Sequence, residues 1–128
     1  MERKKNLKWD DLYNPQHRSL FSKIEEFVIN NYFSKIFTNS ILTASKKKSG
    51  KILEPGAGGG MASATLAKLG FELTCMDLSE NALEKNKSLF ESLSLNGKYI
   101  LGDIFHLPIS DEKFDIVFNQ GVMEHFRL

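Results

Sequence analysis

Three carboxylic acids and a run of glycines carry the chemistry of this chain. In "KILEPGAGGG", residues 51–60, Glu54 is followed by Gly56, Gly58, Gly59 and Gly60 directly after an apolar run. Glycines let a backbone turn sharply and let a ligand come closer than a Cβ permits. The N–H groups that open a following helix lack partners and attract an anion. A ligand bearing a carboxylate or phosphate is therefore expected at this loop. Two spacings compete. Dinucleotide loops use G-x-G-x-x-G, which puts Met61 at the third glycine, where a side chain would hold the helix off the strand. The spacing that fits is acid-x-Gly-x-Gly-x-Gly, on Glu54, Gly56, Gly58 and Gly60.

The other acids decide between ligands. Asp77 stands 21 residues after Gly56, at the end of "FELTCMD". A carboxylate there can accept from both hydroxyls of a ribose. Asp103 ends "KYILGD", where a carboxylate can accept from the exocyclic amine of adenine. Each acid alone has a plain explanation, because strand ends are polar and Asp is common in turns. Three on successive strand ends, together with the glycine loop, form a ligand-shaped constellation.

These residues must be held by regular elements. "KILEP" (51–55), "FELTCMD" (71–77), "KYILGD" (98–103) and "FDIVFNQ" (114–120) read as strands. "MASATLAKLG" reads as a helix with Ala62, Leu66 and Leu69 on one face and Gly70 as its stop. A second helix begins at Ser79, a good N-cap, with Glu80 at the positive end of its dipole and an apolar face of Ala82, Leu83, Leu89, Phe90 and Leu93. The near-continuous apolar strands predict a mainly parallel, doubly wound α/β sheet covered on both faces by helices. "IFHLPISDEK" (104–113) takes the place of the third crossover helix, with room for a turn or two. In such sheets ligands bind beyond the carboxyl ends of the strands, where the strand order reverses.

Ahead of the sheet, apolar residues recur at Leu20, Phe21, Ile24, Phe27 and Val28, then at Tyr32, Phe33, Ile36, Phe37 and Ile41. This is helical spacing, expected as two segments broken near Asn30 and Asn31. Residues 1–45 are expected to form a helical cap, its aromatic-rich stripe a packing face, and residues 46–128 the sheet-bearing unit.

Composition narrows the class. The chain has 128 residues, enough for one core, with 41% hydrophobic and 26% charged residues, as in ordinary globular proteins. A net charge of +1 and only two short basic runs, "ERKK" and "KKKSGK", point to no nucleic-acid or membrane partner. The single Cys75 excludes an internal disulfide and a cysteine-built zinc site. No apolar run approaches the roughly 18–20 residues of a membrane span, and no secretory signal opens the chain. A reducing, cytoplasmic compartment is the expectation.

Residues 50–126, "ILEPGAGGGMASATLAKLGFELTCMDLSENALEKN…GDIFHLPISDEKFDIVFNQGVMEHF", resemble the N-terminal half of a class I S-adenosylmethionine-dependent methyltransferase. The resemblance implies a Rossmann-like sheet of order 3-2-1-4-5-7-6, of which these residues hold the first four strands, order 3-2-1-4. It implies that Glu54 and the backbone of Gly56, Ala57, Gly58 and Gly60 hold the methionine end of S-adenosyl-L-methionine. Asp77 would bind the ribose diol, Leu78 would pack on adenine, Asp103 and Ile104 would read the adenine edge, and Asn119 would lie near the reactive methyl.

"NQGV" differs from the Asn/Asp-Pro-Pro-aromatic motif of enzymes that methylate amino groups on bases or glutamine. "MEHF" resembles the Glu-His pair of small-molecule methyltransferases, so the expected acceptor is a small molecule. In metal-binding members an acid precedes that pair by three residues. Gly121 stands there, and no metal is expected.

In-line methyl transfer needs chiefly alignment. His125 is the candidate base if the acceptor must lose a proton, although local packing is the preferred reading of it. His17 and His106 receive no role. "FDIVF" would be an apolar sheet edge through which the chain self-associates or meets a partner. A non-catalytic binding or scaffold subunit is the alternative, followed by a nicotinamide-dependent oxidoreductase.

Overall fold

The computed structural model describes residues 2–3, 20–109, 111–122 and 126–127, and the surroundings of side chains in 31–109 and 111–122. Two short strands, β1 (Glu2–Arg3) and β6 (Phe126–Arg127), pair antiparallel with each other. The principal sheet contains β2 (Lys51–Pro55), β3 (Glu72–Asp77), β4 (Lys98–Leu101) and β5 (Ile116–Val117), all parallel, in the order β4-β3-β2-β5. This is the predicted 3-2-1-4 arrangement. Among the described residues three helices accompany it: α1 (Leu20–Ser45), α2 (Met61–Lys68) and α3 (Glu80–Ser92).

β2 and β3 sit at the centre because they are apolar on both sides. Ile52, Leu53, Leu73, Cys75 and Met76 are all buried. The parallel register pairs Ile52 with Leu73 and Ile116, and Glu54 with Cys75. Side chains alternate across a strand, so Ile52, Glu54, Leu73, Cys75, Ile116 and Phe118 share one face. That face meets Leu66 of α2 and Phe90 of α3 in the core, with Phe37, Ile41 and Leu42 of α1 packed against it.

The three described helices therefore gather on one face of the described sheet. The cause is the handedness of the crossovers. β2-α2-β3-α3-β4 advances in one direction, and right-handed connections keep such helices on the same side. Direction reverses only between β4 and β5, so within this connection a helix for the second face would have to come from residues 102–115. The described part of that connection contains no helical turn. It folds back at once, with His106 N–H donating to the Asp103 carbonyl at 2.9 Å and Phe105 N–H to Asp103 Oδ1 at 3.0 Å. Gly102 and Pro108 then lie beside Met76 on the second face.

Three further differences have simple origins. α1 runs unbroken through Asn30 and Asn31. Asn costs only a few tenths of a kcal/mol more than the best helix formers, and neither Pro nor Gly interrupts the run. Its inward face is Ser34, Phe37, Thr38, Ile41 and Leu42, whereas Tyr32, Phe33 and Ile36 are exposed. The small Ser34 and Thr38, both buried, let the helix approach α2 closely, and Thr38 Oγ1 bonds back to the Ser34 carbonyl at 2.7 Å. Phe37 meets Phe118 edge-on, with ring centroids 5.7 Å apart.

The fourth strand is short. Regular pairing covers Ile116–Val117, although the ladder extends one residue each way through Asp115 N–H to the Lys51 carbonyl and Phe118 N–H to the Leu53 carbonyl. Likewise "KYILGD" is a strand only over Lys98–Leu101. The Ser79 cap is as expected: its hydroxyl accepts from Ala82 N–H at 3.0 Å.

Candidate functional site

The parallel register brings the carboxyl ends of β2, β3 and β4 to one edge of the sheet, level with Pro55, Asp77 and Leu101. The glycine loop leaves β2 there and turns into α2. Its first two peptide groups lean on the neighbouring strand, since Gly56 N–H and Ala57 N–H both donate to the Met76 carbonyl, at 2.7 and 2.9 Å. Gly56, Gly58 and Gly60 all have φ between +52 and +79°, the left-handed region that side chains rarely adopt. Gly60 occupies the N-cap of α2 in that conformation, and no side chain closes the helix start. The first-turn N–H groups are thus left to the loop side, as an anion-binding turn requires.

Asp77 ties the loop to the next helix. Its Oδ2 accepts from Gly58 N–H at 2.9 Å and its Oδ1 from Ser79 N–H at 3.0 Å. A carboxylate has about four acceptor sites, so two bonds leave capacity for a hydroxyl pair. Leu78 beside it is 37% exposed, an apolar surface at the site's edge. Asp103 lies two residues past β4 with one oxygen engaged in its own turn, and Ile104 next to it is half-buried. Extending the register Leu53↔Val117 by two residues sets Asn119 beside Pro55, at the same end of the sheet. Glu54, the 56–60 loop, Asp77, Asp103, Ile104 and Asn119 therefore converge. Ala57 is buried where the loop turns under itself. His125 lies outside the described residues.

Glu54 does not face open solvent. It is 3% exposed, on the helix side of the sheet, and accepts a hydrogen bond from the Ser63 hydroxyl of α2. Burial pushes its carboxyl up to about 8, against the opposing Ser63 bond and with help from the Asp77 charge. Ser63 and Cys75 are fully buried beside it, as is Asn86 of α3. Burial likewise lifts the Cys75 thiol to about 11.

The Glu54 carboxyl makes stability depend on pH with a definite sign. The unfolded chain releases this proton near 4.5 and the folded chain only near 8. Stability from this group is thus complete below that window and declines as pH rises through it, by at most about 1.4 kcal/mol per pH unit. Glu54→Gln should remove that slope, making the variant relatively more stable at pH 8 than at pH 5. Urea unfolding at both values is the measurement, and an unchanged slope would show that Glu54 ionises normally.

Ser63 and Asn86 were not singled out in the sequence. For Asn86 a signal exists: it lies between Ala82 and Phe90 at i+4 spacing, a polar residue inside a buried stripe. Ser63 between two alanines carries none. Among the described residues no three His, Cys, Asp or Glu side chains gather as a metal-holding group.

Residues 53–128 match the family described as "Methyltransferase domain". The chain is 36% identical over 74 residues to a ubiquinone biosynthesis O-methyltransferase of Coxiella burnetii, covering 58% of this chain and 32% of that protein. It is 39% identical over 80 residues to the mitochondrial protein of the same description from Schizosaccharomyces pombe, covering 59% and 28%. A Methanococcus maripaludis protein, solved as a candidate S-adenosyl-L-methionine-dependent methyltransferase, shares the fold over 99% of this chain and 57% of its own, with a TM-score of 0.76 and 20% identity. The chain spans about a third of the length of the curated relatives it matches. With the family match covering more than half of the chain, on the strands and loop just described, the protein belongs to the methyltransferase-domain family.

Proposed function

We propose that this chain binds S-adenosyl-L-methionine at the carboxyl ends of β2, β3 and β4 and contributes the cofactor site of a methyltransferase acting on a small molecule. The observation that carries the reading is Asp77, whose carboxylate is fixed by Gly58 and Ser79 N–H groups at the mouth of the glycine loop. The donors and acceptors fit the group. Left-handed glycines allow close approach, open N–H groups suit a carboxylate, and Asp77 supplies an acceptor for a diol, while the buried Glu54 carboxyl, which keeps its proton up to about pH 8, would give it up on meeting an ammonium.

In this reading the 56–60 backbone holds the methionine carboxylate and Glu54 faces the ammonium. Asp77 accepts the ribose hydroxyls with its remaining lone pairs. Leu78 and Ile104 flank the adenine, Asp103 accepts from its amine, and Asn119 lies toward the methionine end. The bound cofactor supplies an electrophilic methyl group on a sulfonium. The residues here act by fixing its orientation, and alignment is the larger part of catalysis for such a transfer.

We take residues 1–45 as a cap, with α1 (Leu20–Ser45) its described helix and Glu2–Arg3 paired with Phe126–Arg127, and 46–128 as the cofactor-binding unit. The relatives' O-methyltransferase descriptions support a small acceptor, with no nucleic acid involved. The outer edge of β5, where Val117 is 60% exposed, is where a further strand or a second copy would pair. No helix among the described residues is long and apolar enough to cross a membrane.

Calorimetric titration with S-adenosylhomocysteine and, separately, NADH tests the reading. The first should bind and the second should not. Asp77→Ala should weaken S-adenosylhomocysteine by roughly 10- to 100-fold, the worth of hydrogen bonds to a charged acceptor. Preference for NADH, or binding indifferent to the substitution, would sink it.

A further inference from the structure

The least explained side chain in the molecule is Asn86. It is fully buried on α3, and neither its Nδ2 nor its Oδ1 makes a well-formed hydrogen bond among the described residues, although the Cys75 thiol lies close enough for the amide to hold its proton affinity down. Leaving a buried amide unpaired costs about 1–3 kcal/mol per group, so an apolar residue of the same size would suit this position better for folding alone. Its placement is specific. A Cβ built on Gly60 would lie 2.6 Å from Asn86 Nδ2 and closer still to Cγ and Oδ1. Three nearly equal approaches mean that the amide lies flat against the Gly60 Cα. Gly60 is the left-handed N-cap of α2, the residue where the glycine loop becomes a helix. Asn86 thus stands against the turn of the loop, with the Cys75 thiol as its polar neighbour.

We propose that Asn86 is a positioning residue for the glycine loop: its amide braces the Gly60 turn and hydrogen-bonds to the loop when the cofactor is held. The side chain touches no cofactor in this account. It acts through Gly60 by limiting where the 58–60 peptide groups can point, and the orientation of those N–H groups sets the affinity for the methionine carboxylate. A buried amide this poorly paired then has a use, because a bond to the loop would offset the cost of burying it. The inference rests on the cofactor reading above.

Asn86→Leu and Asn86→Ala separate this role from packing. The leucine variant removes the unpaired amide while filling the space, and should melt at a higher temperature than wild type. The alanine variant leaves a cavity and should melt lower. Both should bind S-adenosylhomocysteine roughly tenfold more weakly, because both lack the amide. Weakened binding alongside opposite melting shifts is a pattern that a merely structural residue would not produce. Wild-type affinity in Asn86→Leu, or affinity that follows melting temperature across the pair, would overturn the proposal. No binding by wild type would instead remove the cofactor reading, and this inference with it.

Discussion

Phe90→Ala should lower the unfolding free energy by about 3–5 kcal/mol, the usual range for a large aromatic removed from a core. Phe90 is fully buried, in contact with the central sheet through α3. Tyr99 of β4 meets it edge-on, with centroids 5.9 Å apart and planes at 85°, an arrangement worth about 0.5–1.5 kcal/mol beyond area burial. The backbone is fitted to the ring as well, since a Cβ on Gly97 would stand 3.0 Å from Phe90 Cε1. A cavity so enclosed by strand and backbone has little room to collapse. Small domains are stable by only about 5–15 kcal/mol, so the variant should lose a large share of its stability and melt at a markedly lower temperature. Guanidinium titration monitored by circular dichroism gives the value directly. A loss below about 1 kcal/mol would mean that α3 can shift to close the gap.

Gly60→Ala should nearly abolish cofactor binding, by roughly a hundredfold or more, and should cost stability too. Two separate penalties meet at this residue. Its φ of 79° is left-handed, costing a residue with a Cβ about 1–2 kcal/mol. The added methyl would also enter the space of the Asn86 amide. Pairing it with Asn86→Gly separates the two. The double variant relieves the collision and leaves the dihedral penalty, so stability should recover in part while binding stays poor. Melting curves and S-adenosylhomocysteine titration on the three variants test this. Full recovery of both would show that only the collision mattered.

The glycine loop and its strands could be read from sequence because their signals are local. Pro55 and the glycines end an apolar run, and Ser79 offers a hydroxyl where a helix needs one, whatever surrounds them. The glycine spacing also placed Glu54 and Asp77 on adjacent strand ends, and the parallel register brings them there. Features set by tertiary context were less visible. The stripe on α1 contains more apolar positions than one face can bury, so periodicity alone could not distinguish Phe37, which packs inward, from Phe33, which does not. Asn30 and Asn31 are weak helix breakers, and a helix that continues into packing overrides them. The helix face of the sheet depended on the direction of each crossover, a topological fact that no single residue carries. Ser63 is a polar residue on a helix, which sequence alone assigns to solvent, and Asn86 shows only through its place between Ala82 and Phe90. Their burial follows from how α2 and α3 meet the sheet.

The register of β5 has a consequence for the order in which this sheet is built. β2 meets β3 across a separation of 21 residues, Lys51 to Glu72, but meets β5 across 64, Ile52 to Ile116. Closing the longer loop costs more chain entropy and returns only a two-residue ladder. The β2-α2-β3 unit should therefore consolidate first, with α3 and β4 following, and β5 should dock last and detach first. The Asp115 carboxylate, which accepts from Lys51 N–H at 2.9 Å and Lys47 Nζ at 3.2 Å, acts as the clasp for that final step. Amide exchange at Phe118, whose N–H spans the two strands, would then report sub-global opening well before the central strands exchange.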